Sequence, residues 1–161
     1  MARRTLQSEI GKKRPFDSPA QEAFLNLIRT ASILEGDLAP LLKAQGLSES
    51  SYNALRILRG HHPAGCPCGT IGEHMVVRVP DVTRLLDRLE HAGLASRERD
   101  TVDRRVVIAK ITKKGLDVLA RLDGPLMKAH EAQLAHLSAS ELRTLNALLV
   151  KARSAAPNAT A

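Results

Sequence analysis

Two groups of side chains in this chain have types and spacings that could do chemistry. The first is Arg78-Val79-Pro80-Asp81, followed closely by Thr83, Arg84, Asp87 and Arg88. A guanidinium such as Arg84 can fork onto guanine O6 and N7, Thr83 can touch a thymine methyl or a phosphate, and Arg78 sits where a helix start would meet a DNA backbone. The second is His61, His62, Cys66 and Cys68, all within eight residues. Imidazoles and thiolates are ligands for zinc or a copper-group ion, and the thiols alone could form a redox switch. The spacing His-His-x3-Cys-x-Cys is not that of a standard finger, Pro67 restricts the loop, and no basic neighbour is visible to lower a thiol pKa. A loop with incidental thiols is the leading reading, and a thiol- or metal-responsive device is the alternative. A Cys/His hydrolase would need an aligned base, an oxyanion hole and a third orienting residue, and none can be nominated. The chain therefore reads as a non-enzyme that calls for no cofactor.

The elements that must position the first group are legible. Thr70-Ile-Gly-Glu73 has the pattern of a capping box and predicts a helix beginning there. A second helix is bounded by Pro80, placed in its first turn, and by Gly93, suited to a left-handed C-terminal position. At ~100° per residue, Val82, Leu85, Leu86 and Leu89 share one face, while Pro80, Thr83, Arg84, Asp87 and, at the edge, Arg88 share the other. Alone, this pattern fits an ordinary amphipathic helix with a solvated charged face just as well. Its neighbours tip the balance. Ala95 to Arg99 and Arg105 to Ile111, the second rich in Val and Ile, flank the polar DTVDR and predict a β-hairpin directly after the helix pair, which is the arrangement of a wing.

Upstream, Met1 to Asp17 is basic and shows no sustained period, so it reads as a mobile arm. Ser18-Pro-Ala-Gln21 caps a long amphipathic helix through Phe24, Leu27, Ile28, Ala31, Leu34 and Leu38, with a kink or break expected at Pro40 and closure at Gly46. Ser48 starts another helix, with Leu55 and Leu58 facing inward, and HHPAGCPCG reads as a loop. Downstream, Thr112 can cap a helix with a kink expected at Gly124-Pro125, and Ser138-Ala-Ser-Glu141 caps a last one carrying Leu142, Leu145, Leu148 and Leu149. These stripes exceed what a small three-helix core can use, so association with a second copy is the natural outlet.

Composition narrows the class of partner. The formal net charge is +7 over 161 residues. The excess is concentrated, with ten Lys/Arg against six Asp/Glu from Arg78 to Gly115 and five against one from Met1 to Arg14. Both places would suit phosphate. Phe16, Phe24 and Tyr52 are the only aromatic residues besides histidine, so stacking platforms for single strands are disfavoured and duplex DNA is the better match. The absence of a long apolar run indicates neither secretion nor membrane insertion, and the expected location is the cytoplasm, where two cysteines should be thiols.

Taken together, the order of elements resembles the MarR family of winged helix-turn-helix regulators. Val82 to Leu94, VTRLLDRLEHAGL, resembles the family's recognition helix and the start of its first wing strand. Asp103-x-Arg105, five residues, Ile111-Thr112, two residues, Gly115 resembles its wing motif Asp-x-Arg-x5-Leu-Thr-x2-Gly, with Ile for Leu. Val76 stands in the helix-turn-helix turn where the family has Gly, and Arg78 stands at the recognition-helix N-cap where it has Ser or Thr. The resemblance implies a mostly α fold with a small β-hairpin wing. It implies a flexible arm over 1–17, an N-terminal dimerisation helix over 18–46, a winged lobe over 47–111, C-terminal dimerisation helices over 112–154 and a disordered tail over 155–161. It further implies a homodimeric regulator, expected to be a repressor, on a pseudo-palindromic operator. Arg105 would enter the minor groove, where narrow width concentrates negative potential, with Arg104 beside it and Asp103 orienting the wing. A small organic inducer would sit in a crevice lined by Leu34, Leu38, Tyr52, Leu55 and Leu119. Asp81 and Asp87 would repel phosphate unless they pair with Arg84 or Arg88 or accept from cytosine N4. The reading from another class is a winged domain that binds an acidic protein, for which no steep salt dependence is expected.

Overall fold

Side-chain oxygens start most of the helices, as the capping residues predict. A computed structural model describes residues 5–154. Along the chain lie α1 (Leu6–Glu9), α2 (Pro19–Lys43), α3 (Glu49–Gly60), β1 (Cys66–Pro67), α4 (Cys68–His74), α5 (Val82–His91), β2 (Ala95–Arg99), β3 (Val107–Ile111), α6 (Lys113–Leu134) and α7 (Ala139–Ser154). Ser18 Oγ accepts from the Gln21 N–H at 3.1 Å, Ser48 Oγ from Ser51 at 3.2 Å, Thr112 Oγ1 from Gly115 at 3.1 Å and Ser138 Oγ from Glu141 at 3.3 Å. Each such cap is worth ~1 kcal/mol relative to alanine.

Several expectations are corrected. Leu6–Glu9 of the arm form α1, because Thr5 and Ser8 cap each other and Leu6 is buried, with Glu9 reaching Arg29 of α2 at 2.8 Å; residues 1–4 and the tail over 155–161 lie outside the described residues. Helix α2 runs on through Pro40 to Lys43 without a break. The carbonyl left without a donor there is that of Gly36, which is exposed and open to water. Helix α6, for which a kink and not a break is the expectation, also spans Pro125. The HHPAGCPCG segment is only partly a loop, since Cys66-Pro67 pairs with β3 and the chain passes straight from that strand into α4 at Cys68. The expected Thr70 cap is therefore unused, and no side chain caps α4. At α5 the N-cap is Asp81, not Arg78, and Pro80 precedes the helix instead of entering it.

Contacts divide the chain into two compact units, Met1–Pro125 and Leu126–Ala161. In the first, β1, β3 and β2 form an antiparallel sheet in that order, with Cys66 opposite Ala109 and Ala95 opposite Ile111. The wing is thus three-stranded, with a hairpin completed by the short β1. Its core is aliphatic: Leu55 and Leu58 of α3, Ile71 of α4, Leu85, Leu86 and Leu89 of α5, Ala109 of β3 and Leu119 of α6 are all essentially inaccessible. At roughly 1.5–3 kcal/mol for each large side chain buried, this cluster is what holds α5 and the sheet in place. Gly115 admits a very close approach: a Cβ there would collide with the Leu94 carbonyl oxygen and lie 2.7 Å from Ile111 Cγ1. The glycine of the motif at 103–115 is thereby explained by packing of α6 onto the base of the hairpin. In the second unit, Ser138 and Glu141 form the reciprocal cap foreseen for α7, whose residues are nowhere buried.

Candidate nucleic-acid interface

The outward face of α5 is built by its inward one. With Leu85, Leu86 and Leu89 buried, the helical period turns Thr83, Arg84, Asp87 and Arg88 to solvent. Asp81 Oδ1 caps the helix by accepting from the Arg84 N–H at 2.9 Å, and its other oxygen lies 3.6 Å from Arg84 Nε. That long pair is weak, and the Arg84 side chain is 82% exposed, so the guanidinium is free to exchange its partner for a base or phosphate. Arg78, Pro80 and Asp81 are exposed and Val79 is half-buried on the approach to the helix. Before them, the turn is fixed by Asn53 of α3, whose Oδ1 accepts from the Val76 N–H at 2.8 Å. Among the described residues only glycines take positive φ, so Val76 fills the turn without entering the left-handed conformation for which glycine is suited.

Asp87 does not pair with Arg84 or Arg88. It meets Arg97 of β2, whose Nη2 lies 2.6 Å from Asp87 Oδ1 and also 2.6 Å from Glu90 Oε2. Arg97 Nε and its backbone N–H donate to Glu90 as well, at 3.0 and 3.1 Å. These hydrogen bonds hold the Glu90 carboxyl below, and the Arg97 guanidinium above, their ordinary values, with the Arg97–Glu90 side-chain bond the largest cause in both. One guanidinium shared by the two carboxylates offsets one of the two acidic charges on α5, which lessens the repulsion expected of Asp87 toward phosphate. The same clamp ties the helix to the wing strand. One sequence signal could have found it: Arg97 lies two residues from buried Ala95, so strand alternation turns both to one side, where a charge demands partners.

The wing loop carries Asp103, Arg104 and Arg105, all exposed. Asp103 Oδ1 accepts from the Arg105 N–H at 2.9 Å, and Arg99 Nη1 donates to the Arg104 carbonyl at 3.0 Å. Asp100 Oδ1 accepts from Val102 and Asp103, which keeps its carboxyl below the ordinary range. Helix α5 and the wing loop therefore each present arginines, and in each an aspartate anchors the backbone N–H of one of them, Arg84 or Arg105.

The thiol and imidazole group does not converge. Cys66 is buried in the sheet, Cys68 opens α4, and His61 stacks with His74 at 6.1 Å between ring centroids. Burial pushes both thiols up, away from the reactive thiolate, and among the described residues no three His, Cys, Asp or Glu are placed to hold a metal ion. Of the five residues expected to line a ligand crevice, Leu55 and Leu119 are wholly buried core side chains, whereas Leu34, Leu38 and Tyr52 are half-buried. A cavity of about 380 Å³ lies elsewhere, bordered by Ser48, Ser51, Arg88 and Leu94.

A helix pair whose second helix turns Arg84 and Arg88 outward, followed at once by an arginine-tipped wing, defines a winged helix-turn-helix protein. Residues 47–107 match the MarR family. The crystal structure of a MarR transcription factor from Planctomyces limnophilus is 41% identical, with a TM-score of 0.65 over 84% of this chain and 98% of that one. The HTH-type transcriptional regulator MhqR of Bacillus subtilis is 28% identical over 96 residues, 60% of this chain and 65% of that protein, so this chain aligns with under two thirds of that relative. The structure of Staphylococcus aureus MepR bound to DNA, 22% identical, shares the fold with a TM-score of 0.73 over 81% of this chain and 96% of that one. The chain belongs to the MarR family. The relatives it matches are transcription regulators and not enzymes. No helix among the described residues is long and apolar enough to cross a membrane.

Proposed function

We propose that this chain is a sequence-specific, double-stranded-DNA-binding repressor that acts in the cytoplasm as a homodimer on a pseudo-palindromic operator and is released by a small organic inducer. The carrying observation is the pair of arginine-bearing surfaces, Arg84 on α5 and Arg105 on the wing, each preset by an aspartate. Helix α5 would enter the major groove, with Arg84 and Thr83 at base edges and Arg78, Val79 and Pro80 at the backbone, while Arg88 and Arg104 add phosphate contacts. That the MepR structure, alike in fold, is a complex with DNA supports the DNA-binding reading.

Dimerisation is supported by the apolar residues that single-chain folding leaves in water: Phe24, Leu27 and Ile28 on α2 and Leu145, Leu148 and Val150 on α7 are all exposed. For the inducer, the half-buried Leu34, Leu38 and Tyr52 remain the proposed contacts, with Arg56 Nη1 bonded to the Tyr52 hydroxyl at 2.9 Å. The domain assignment over 18–46, 47–111 and 112–154 follows from the same reading. The experiment is to sequence genomic fragments retained by the protein and to titrate the recovered duplex. Arg84→Ala is expected to lose ~1–3 kcal/mol on that duplex and much less on random DNA. Equal losses on both would end the base-reading role of Arg84. Binding without a salt slope would favour a protein-binding adaptor instead.

A further inference from the structure

Val102 is 93% exposed, the most exposed large aliphatic side chain among the described residues. The hydrogen bonds of the loop hold it there. Asp100 Oδ1 accepts from the Val102 N–H at 2.7 Å and the Asp103 N–H at 2.9 Å, the Asp100 N–H donates to the Val106 carbonyl at 2.9 Å, and the Val106 N–H donates to the Asp103 carbonyl at 2.9 Å. The tip is therefore shaped before any partner arrives, and it sets an apolar group among Arg99, Arg104 and Arg105. That combination fits a surface with anionic rims and a floor read by shape, which is the minor groove of duplex DNA.

We infer that Val102 is a specificity-determining residue that packs on the minor-groove floor beneath the wing and selects A·T over G·C pairs there. The inference rests on the DNA-binding reading above. In a groove about 6 Å wide, A·T and T·A pairs show only acceptors, whereas G·C adds the guanine N2 amine as a donor. Valine methyls pressed against that amine displace its water and offer no acceptor, so the buried donor goes unsatisfied. Valine is shorter than the Phe, Leu, Ile or Met wedges that enter between base steps, so contact with the floor is its natural mode. Arg105 favours a narrow groove through electrostatic potential, a preference that does not involve bonding to the amine.

The test uses the full chain and a duplex selected from a randomised pool on the wild-type protein. Each A·T pair flanking the half-sites is exchanged for G·C, or for inosine·cytosine, which lacks the minor-groove amine. Wild type is expected to lose roughly tenfold in affinity on G·C at the wing position and to recover it on inosine·cytosine. Val102→Thr, nearly isosteric at a solvent-exposed site, supplies an oxygen that can accept from the amine, and should cut the G·C penalty to under about threefold. Arg105→Ala should instead weaken all three duplexes and leave the ratio between G·C and inosine·cytosine intact. An equal G·C penalty in wild type and Val102→Thr, or no penalty in wild type, overturns the inference while leaving DNA binding standing. If the pool yields no preferred duplex, the sequence-specific reading fails and this inference with it.

Discussion

Individual residues of this protein matter through what lies within a few ångströms of them, and Gly115 is the sharpest case. Its place at the start of α6, against the Leu94 carbonyl, leaves no room for a methyl group. Gly115→Ala should destabilise the fold by about 1–3 kcal/mol, the range for overpacking a tight site. Gly124, also in α6, has no atom near its Cβ direction. Gly124→Ala should therefore be neutral or stabilising by up to ~1 kcal/mol, since alanine is the better helix former. Urea denaturation of both variants checks the pair, and similar midpoints would show that the close approach at Gly115 is not what fixes glycine there. The same local view separates Arg84 from Arg97: both are arginines beside aspartates, but one pair is long and exposed while the other is short and shared with a third group.

At the scale of elements, Arg97 matters because it bonds two of them. Helix α5 carries one arginine-bearing surface of the proposed interface and strand β2 leads into the wing loop that carries the other, and the Arg97 clamp to Asp87 and Glu90 ties the helix to that strand. Arg97→Met keeps the apolar stem but loses every guanidinium bond. It should leave the fold intact yet narrow the ratio of operator to random-duplex affinity, measured by titration at constant salt. A ratio equal to that of wild type would mean the clamp plays no part in positioning. The pH dependence follows from the depressed Glu90 carboxyl. A carboxyl with a lowered folded-state pKa contributes stability that is fully present above its unfolded value and is lost as pH falls through the folded one. The gap in thermal midpoint between wild type and Arg97→Met should thus be flat near neutrality and close below about pH 4.

For the molecule as a whole, α2 and α7 leave apolar surface uncovered. On α7 no residue is buried, and Leu148 is 58% exposed; on α2 the Phe24 and Ile28 side chains are similarly uncovered. In the proposed homodimer, a second copy that covers these helices would also engage the second half-site, and a single lobe would forfeit that avidity. Leu148→Glu is expected to yield monomer in sedimentation and to lose operator affinity by more than tenfold, since tethered binding of two half-sites exceeds either alone by orders of magnitude. A soluble monomer that binds as tightly as wild type would refute the dimer reading.

The sequence by itself determined the helix pair, the buried face of α5, the strands of the wing hairpin and four of the caps, because period, capping oxygens and turn residues act over three or four positions and need no distant partner. It also carried the family resemblance through residues 82–94 and 103–115. It misplaced the starts of α4 and α5, and only the tertiary structure decided those. Thr70 and Glu73 have the right spacing for a cap, but pairing of Cys66 and Pro67 with β3 makes the chain enter the helix two residues earlier, at Cys68. Asp87 could have paired along its own helix, and it took Arg97 because the fold brings β2 beside α5. Leu55 and Leu119, which sequence allowed as ligand contacts, were consumed by the core. Local chemistry could be read in advance; pairings between residues distant in sequence required the fold that brings them together.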